Sequence, residues 1–196
     1  MNVERVRAAY GEACALAGPR VTVVAATKYV SVADMALLVD AGVEVVGENR
    51  AQDLVAKYAV YGDVFRWHFI GRIQSNKAKV VDRICERVHA VETESTALRL
   101  TVPWLVEVNL AGEESKGGIA PEAIKGWVER HPSLVGLMAM PPLTRDPEAS
   151  RPFFRRLREL ATAHGLHEVS MGTSQDWRVA VEEGATHVRI GAALWS

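Results

Sequence analysis

Short apolar runs alternate with helical segments along this chain. Eight of these runs are rich in Val, Ile, Leu and aromatic residues and have the length of strands. Consecutive strands separated by helices pair in parallel, and eight such units close naturally into a barrel. The predicted strands begin at Val21 and then span Val43–Gly47, Phe65–Ile70, Arg87–Val91, Trp104–Leu110, Ser133–Met138, His167–Ser170 and His187–Ile190.

Helical spacing of apolar residues precedes the first strand and recurs between the later strands. The first helix covers residues 2–17 and ends before Gly18-Pro19. The predicted fold class is α/β: a single (β/α)8 TIM barrel over residues 1–196, with an additional N-terminal helix. An open doubly wound sheet is the alternative, but no strand is followed by the Gly-x-Gly-x-x-Gly turn of that fold. Later helices are predicted around Met35–Val39 and at Asn49–Tyr61, Ser75–Ile84, Ser95–Leu100, Pro121–Arg130, Pro147–His164 and Asp176–Glu183.

Composition sets limits on location and partners. The formal net charge is −1, which gives no electrostatic attraction to nucleic acid or to an anionic membrane. Cys14 and Cys85 lie far apart and have no metal-type spacing. No run approaches the roughly 18 apolar residues of a membrane span, and residues 1–7 lack the apolar core of a signal peptide. We therefore expect a cytoplasmic protein without nucleic acid or membrane partners.

A lysine follows the first predicted strand, Val21-Thr-Val-Val-Ala-Ala-Thr-Lys28. If burial keeps the Lys28 amine neutral, that amine can attack a carbonyl, so Lys28 is a candidate Schiff-base lysine. The alternative is a strand-end lysine whose ammonium reaches water. The eight residues alone leave both interpretations open.

Polar residues and glycines concentrate where the predicted strands end, which is the catalytic face of such barrels. The loops after strands seven and eight commonly hold phosphate there. Ser170-Met-Gly-Thr-Ser174 supplies hydroxyls and a glycine, and Gly191-Ala192 supplies backbone N–H groups. Together the two loops indicate an anion site. A Schiff-base lysine beside a phosphate site is what pyridoxal 5′-phosphate requires.

Seven stretches in collinear order, covering nearly the whole chain, make this interpretation specific. They are Ala26-Thr-Lys-Tyr29, Val46-Gly-Glu-Asn49, Trp67-His-Phe-Ile-Gly71 with Gln74-Ser-Asn-Lys77, Glu114-Ser-Lys-Gly117, Gly136-Leu-Met138, Ser170-Met-Gly172 with Ser174, and Val188-Arg-Ile-Gly191. In this order they resemble the YggS/PROSC family of pyridoxal phosphate-binding homeostasis proteins. That family is related to the N-terminal barrel of alanine racemase.

The resemblance implies a role for each matching residue. Lys28 would hold the cofactor as a Schiff base, and Arg189 would point its guanidinium at the pyridine nitrogen. Asn49 would lie near the ring, and Met171 beside the phosphate loop. The residues that would surround the phosphate are Ser170, Ser174, Gly191 and Ala192.

Several positions depart from the family pattern. Ala192 stands where relatives commonly have threonine, and the lost hydroxyl would cost on the order of 1.5–3 kcal/mol of phosphate binding if nothing replaces it. We hypothesise that Thr173, which replaces a methionine, or a water molecule compensates. Arg72 would either add positive charge at the rim or be solvated. Lys116 would either receive the cofactor aldehyde or be an ordinary exposed loop lysine.

Three functions compete on these residues. The first is a protein that holds and releases pyridoxal phosphate without a robust reaction of its own, with pyridoxal phosphate-dependent apoenzymes as candidate partners. The second is an amino-acid racemase, which needs acid–base groups on both faces of its substrate; Tyr29 is the nearest tyrosine to Lys28. The third is a Schiff-base aldolase, whose lysine typically sits on a later strand. We expect the first function and a monomeric barrel.

Overall fold

The computed structural model describes residues 2–112 and 117–195 of the chain. Eight parallel strands form a closed barrel in sequence order, with the last strand paired to the first. The strands are β1 (Thr22–Ala26), β2 (Val45–Glu48), β3 (Arg66–Phe69), β4 (Arg87–Val91), β5 (Trp104–Glu107), β6 (Leu134–Met138), β7 (Glu168–Thr173) and β8 (His187–Ile190). The predicted TIM barrel is confirmed.

Helices surround the barrel and follow its strands. The helix before β1 is the predicted additional N-terminal helix. The Asn2 side chain caps its start, because its Oδ1 accepts a hydrogen bond from the Arg5 N–H at 3.2 Å. The α-helices of the described residues are α1 (Val3–Ala17), α2 (Met35–Asp40), α3 (Ala51–Tyr61), α4 (Ala78–Ile84), α5 (Glu94–Ala97), α6 (Ile124–Arg130), α7 (Arg151–Ala163), α8 (Trp177–Glu182) and α9 (Ala192–Trp195). None of them is both long and apolar enough to cross a membrane.

Several element boundaries differ from the predictions. The strand predicted to run to Leu110 ends at Glu107, and Val108 continues only as an isolated bridge to Ile119. The long helix predicted from Pro147 begins with a 3-10 turn, and α7 starts only at Arg151. β7 extends beyond its predicted end because its pairing with β8 resumes after a register shift between Ser170 and Thr173.

Side chains of the strands alternate between the helix layer and the barrel interior. Val169 and Met171 pack into the main core beneath the helices, so Ser170 between them faces inward. The inward residues of β4, β5 and β6 include a small apolar cluster, Ala90, Leu105 and Met138. Polar side chains are also buried in the interior: His68, His89, His187, Ser170 and Arg189. The barrel interior thus combines an apolar cluster with a set of polar side chains.

Candidate functional site

Lys28 lies on the rim of the barrel. β1 ends at Ala26, and the chain turns immediately afterwards, closed by the Val30 N–H on the Thr27 carbonyl at 2.8 Å. Lys28 is exposed, and its Nζ lies 4.7 Å from the centre of the Tyr29 ring. Of the two interpretations that the sequence leaves open, the structure supports the exposed strand-end lysine, because the turn carries the side chain over the rim. Its ammonium is accessible to a ligand from solvent.

The backbone before Lys28 is held by a buried charged pair that the sequence reasoning missed. Glu48 and Lys57 are fully or almost fully buried and form an ion pair. Glu48 also accepts the Thr27 hydroxyl at 2.6 Å, and Lys57 donates to the Thr27 carbonyl at 2.8 Å. This network anchors the turn that presents Lys28. The sequence holds one indication of this pair: Lys57 follows Leu54 by three residues and so lies on the apolar face of a predicted helix.

Two backbone N–H groups converge on one oxygen at the end of β8. The N–H groups of Gly191 and Ala193 donate to Ser174 Oγ at 3.0 and 3.2 Å. Lys28 lies close to this point along the barrel wall, because Ala25 pairs with Ile190 and the Trp195 indole donates to the Ala26 carbonyl at 3.2 Å. The structure therefore brings the two predicted phosphate loops together on the same rim as the lysine.

Neighbouring residues of these loops differ in what their side chains can offer. Ala192 is exposed at the end of β8 and supplies no side-chain donor. Met171 is fully buried in the helix-facing core, so only its backbone can contribute to a site in the barrel mouth. The Thr173 hydroxyl donates to Asp176 at 3.3 Å, which does not support the hypothesis that it replaces the hydroxyl missing at position 192.

Gly172 shapes the loop that carries Ser174. Its φ is +89°, a conformation that side chains with a Cβ rarely adopt. A Cβ at this position would also lie 2.5 Å from Ala180 Cβ and 2.9 Å from Trp177 Cα. Only glycine fits here without displacing the first turn of α8.

Arg189 points into the barrel interior beneath the two loops. It is buried, and its guanidinium donates to Ser170 Oγ and to the Ala139 carbonyl, the latter at 3.3 Å. No carboxylate of the described residues lies at salt-bridge distance from it. Burial lowers the pKa of Arg189 to about 10, while the more distant Glu107 and Asp176 act in the opposite direction. The guanidinium therefore remains charged at neutral pH.

Ser170 is fully buried, and its hydroxyl already has two protein partners. It contacts the Arg189 guanidinium on one side and His89 Nδ1 at 2.7 Å on the other. The sequence reasoning had assigned Ser170 to the phosphate and had given His89 no role. In this structure Ser174, not Ser170, has its hydroxyl at the rim.

Asn49 follows β2 on the same rim and carries a buried carbonyl oxygen, Oδ1, without a hydrogen-bond partner among the described residues. Such an atom normally costs about 1–3 kcal/mol unless a partner is supplied. A cavity of about 180 Å³ adjoins it, lined also by Arg72 and Lys77. Asn49 Oδ1 is thus placed to accept a hydrogen bond from a ligand donor.

Two adjoining cavities occupy the mouth of the barrel. The larger, about 340 Å³, is bordered by Glu107 and Arg72, and the smaller, about 110 Å³, by Arg189 and Gly172. Burial and the nearby Glu92 raise the pKa of Glu107. Arg72 forms an ion pair with Glu92 at 2.8 Å while its side chain stays largely exposed, so its charge at the rim is both paired and solvated. Lys116, for which the sequence leaves open a role as acceptor of the cofactor aldehyde or as an ordinary exposed loop lysine, lies outside the described residues, as do residues 113–115.

Comparison with models of known protein families gave no match. Whole-chain comparison gave clear relatives. The pyridoxal phosphate homeostasis protein of Aquifex aeolicus is 37% identical over 96% of this chain and 90% of its own length. The protein of the same name from Pseudomonas aeruginosa is 39% identical over 99% of this chain and 93% of its own length.

Solved structures agree with these relatives. PipY of Synechococcus elongatus has been solved both without and with PLP bound. The match covers 97% of this chain and 100% of the PipY chain, with a TM-score of 0.87 and 28% identity. Alanine racemase of Corynebacterium glutamicum shares the fold, with a TM-score of 0.74 over 98% of this chain and 61% of its own, at 16% identity. On the strength of its near-full-length relatives, this chain belongs to the pyridoxal phosphate homeostasis protein family.

Proposed function

We propose that this protein binds pyridoxal phosphate reversibly through the Lys28 amine and serves as a reservoir of the cofactor rather than as a robust catalyst. The observation that carries the proposal is the pair of N–H groups, from Gly191 and Ala193, that converge on Ser174 Oγ beside the strand bearing Lys28. Backbone donors of this kind suit a phosphate. Because the Lys28 amine is exposed, it suits a Schiff base that forms and breaks while the cofactor exchanges with solvent.

The residues of the mouth fit the cofactor in three respects. Asn49 Oδ1 lacks a donor, and pyridoxal phosphate carries a ring hydroxyl that could supply one. Arg189 offers a donor to a ring nitrogen, and Ser174, whose Oγ accepts both N–H groups, offers its hydroxyl proton to a phosphate. When bound, the cofactor supplies an aldehyde that condenses with a lysine amine and a ring that withdraws electrons.

Arg189 determines how strongly the ring can withdraw electrons. A guanidinium has donors but no acceptor, so a ring nitrogen facing it remains unprotonated. An unprotonated pyridine is a poorer electron sink than the pyridinium that a carboxylate partner would favour. Arg189 thus favours holding the cofactor over carbanion chemistry.

The contact between Lys28 and Tyr29 does not favour the racemase alternative. A racemase needs acid–base groups on opposite faces of its substrate. The Tyr29 ring instead lies directly against the Lys28 ammonium and is 85% exposed. Both groups therefore occupy one side of the mouth.

We extend the proposal to delivery of the cofactor to pyridoxal phosphate-dependent apoenzymes in the cytoplasm. Both cysteines are free, in keeping with a reducing compartment. Mixing the loaded protein with such an apoenzyme should transfer the cofactor faster than its release to a small-molecule trap. Equal rates would restrict the function to storage.

Absorbance titration with pyridoxal phosphate tests the binding proposal. Lys28→Ala should abolish the long-wavelength band of the bound cofactor, because it removes the amine that condenses with the aldehyde. Lys79→Ala, an exposed lysine on α4, should titrate like the unaltered protein. A full band in Lys28→Ala would refute the assignment of the amine.

A further inference from the structure

Five side chains form one hydrogen-bonded chain across the barrel interior. It starts at the Arg189 guanidinium, which contacts Ser170 Oγ. Ser170 Oγ lies 2.7 Å from His89 Nδ1, and His89 Nε2 lies 2.9 Å from His68 Nδ1. His68 Nε2 lies 3.0 Å from Glu86 Oε1 on the outer surface. We call this series the interior relay.

The chemistry of its two ends fixes the direction of every donor in the relay. Arg189 cannot accept a hydrogen bond, so it donates to Ser170. At the other end, an ionised carboxylate such as Glu86 only accepts, so His68 carries its proton on Nε2. Glu86 is held ionised, since its hydrogen bond from His68 and its contacts with Arg66 lower its pKa to about 2.

The middle of the relay then has one consistent arrangement. With its proton on Nε2, His68 presents a bare Nδ1, which accepts from the Nε2–H of His89. His89 in turn presents a bare Nδ1, which accepts the hydroxyl proton of Ser170. The reverse arrangement would set the lone pair of His68 Nε2 against the Glu86 carboxylate at 3.0 Å.

Both imidazoles are neutral, as this arrangement requires. Burial is the largest cause that lowers the pKa of His68 and of His89. Repulsion from Arg66 and Arg87 adds to the effect on His68, while Glu86 opposes it. Each ring therefore has one N–H and one lone pair to offer.

We propose that His89 is a positioning residue that orients the Ser170 hydroxyl so that its oxygen accepts a hydrogen bond from Arg189. Because the Ser170 proton goes to His89, only lone pairs of Ser170 face the guanidinium, and Ser170 has no proton left for a phosphate. The relay thereby connects a buried guanidinium, which has no carboxylate at salt-bridge distance among the described residues, to the Glu86 carboxylate. The consequence for the cofactor rests on the proposed function, in which this guanidinium faces the ring nitrogen.

A third histidine makes a metal site the competing interpretation. The His187 ring packs against those of His68 and His89, with centroids 5.7 and 5.1 Å away. One ligand atom from each of the three lies within 4.8 Å of the others. A metal would need lone pairs that the relay already uses, since both ring nitrogens of His68 and of His89 have partners. The observed hydrogen bonds favour the relay.

Nitrogen-15 NMR of the cofactor-free protein at neutral pH tests the donor directions without any substitution. His68 and His89 should both be neutral, with the proton on Nε2. A proton on Nδ1 of either ring, or a charged ring, would overturn the relay. Stoichiometric Zn²⁺ should leave the nitrogen resonances of the three imidazoles unchanged, and a shift of one nitrogen in each of the three rings would instead establish a metal site.

Hydrogen exchange at the Arg189 guanidinium tests the positioning role. Ser170→Ala and His89→Leu should each speed exchange by roughly tenfold, because each removes a link that holds the guanidinium. His89→Asn should restore slow exchange, since its amide oxygen can accept the Ser170 proton. Glu12→Gln, at an exposed pair with Arg178, is the matched control and should change nothing. Unaltered exchange in both Ser170→Ala and His89→Leu would refute the proposal.

Measuring pyridoxal phosphate binding by the same variants distinguishes failure of this proposal from failure of the proposed function. If both are right, His89→Leu weakens pyridoxal phosphate binding and His89→Asn restores it. If the tautomers and exchange rates are as expected but no variant alters cofactor binding, the relay stands and the role of Arg189 toward the ring fails.

Discussion

At the scale of single residues, the site depends on a few polar atoms whose partners are fixed by burial. Ser174 Oγ gathers two N–H groups at the rim, whereas Ser170 Oγ is enclosed between a guanidinium and an imidazole. Two serines four residues apart therefore have different tasks. Ser170 lies inside β7, where its side chain faces the barrel interior, whereas Ser174 lies in the loop that follows the end of β7 at Thr173.

The phosphate loops give the first prediction. Ala192→Thr should tighten pyridoxal phosphate binding by roughly tenfold, because it adds a hydroxyl donor to a charged group. Ser174→Ala should weaken binding by a similar factor. Thr173→Val is the control, since the Thr173 hydroxyl is already directed at Asp176. Isothermal titration measures all three, and an unchanged affinity in Ala192→Thr would show that its side chain does not reach the phosphate.

The buried pair beneath Lys28 gives the second prediction. Lys57→Ala should lower the free energy of unfolding by about 3–5 kcal/mol, because it leaves the Glu48 carboxylate buried without its cation. Lys125→Ala breaks an exposed pair with Glu129 and should cost no more than about 0.5 kcal/mol. Urea unfolding compares them. A loss for Lys57→Ala as small as for Lys125→Ala would mean that the pair does not hold the rim.

At the scale of elements, the turns after the strands decide where side chains point. Strand periodicity predicted the strands and which strand precedes each candidate residue. It could not decide whether Lys28 is buried or exposed, because that depends on the turn that begins at Thr27, directly after Ala26. The interior relay was missed for a different reason. Four of its five members come from β3, β4, β7 and β8, and Glu86 lies directly before β4. Their contacts depend on the register between strands, which the sequence does not reveal.

Gly172 gives a prediction that belongs to β7. Gly172→Ala should lower the free energy of unfolding by about 2–4 kcal/mol, because it combines a positive φ with a clash against α8. Gly165→Ala is the matched control, with a φ of +69° but no atom within 4 Å of the added Cβ. It should cost only about 1–2 kcal/mol. Thermal unfolding of both variants measures the difference, and equal losses would contradict the close packing of β7 on α8.

At the scale of the whole molecule, the barrel holds three neutral histidines in its interior. Burial lowers the pKa of His68 and of His89, and it lowers that of His187 to about 3. The unfolded chain binds a proton at each of them below about pH 6.5, whereas the folded chain does not. The free energy of unfolding therefore falls as the pH is lowered.

The resulting prediction is a loss of stability between pH 7 and 5. Each histidine contributes a slope of up to about 1.4 kcal/mol per pH unit, partly opposed by Glu107 and Glu168, whose pKa values are raised by burial. His187→Met should reduce the slope by about one such contribution. Urea unfolding at several pH values checks both statements. A slope that is the same in His187→Met would mean that His187 does not titrate as a buried group.

The central claim is that Lys28 is the amine that holds pyridoxal phosphate. Borohydride reduction of the loaded protein, followed by peptide mass spectrometry, tests it most directly. We expect one phosphopyridoxyl group per chain, on Lys28. A label on Lys77 beside Asn49, on any other lysine, or on none, would contradict it.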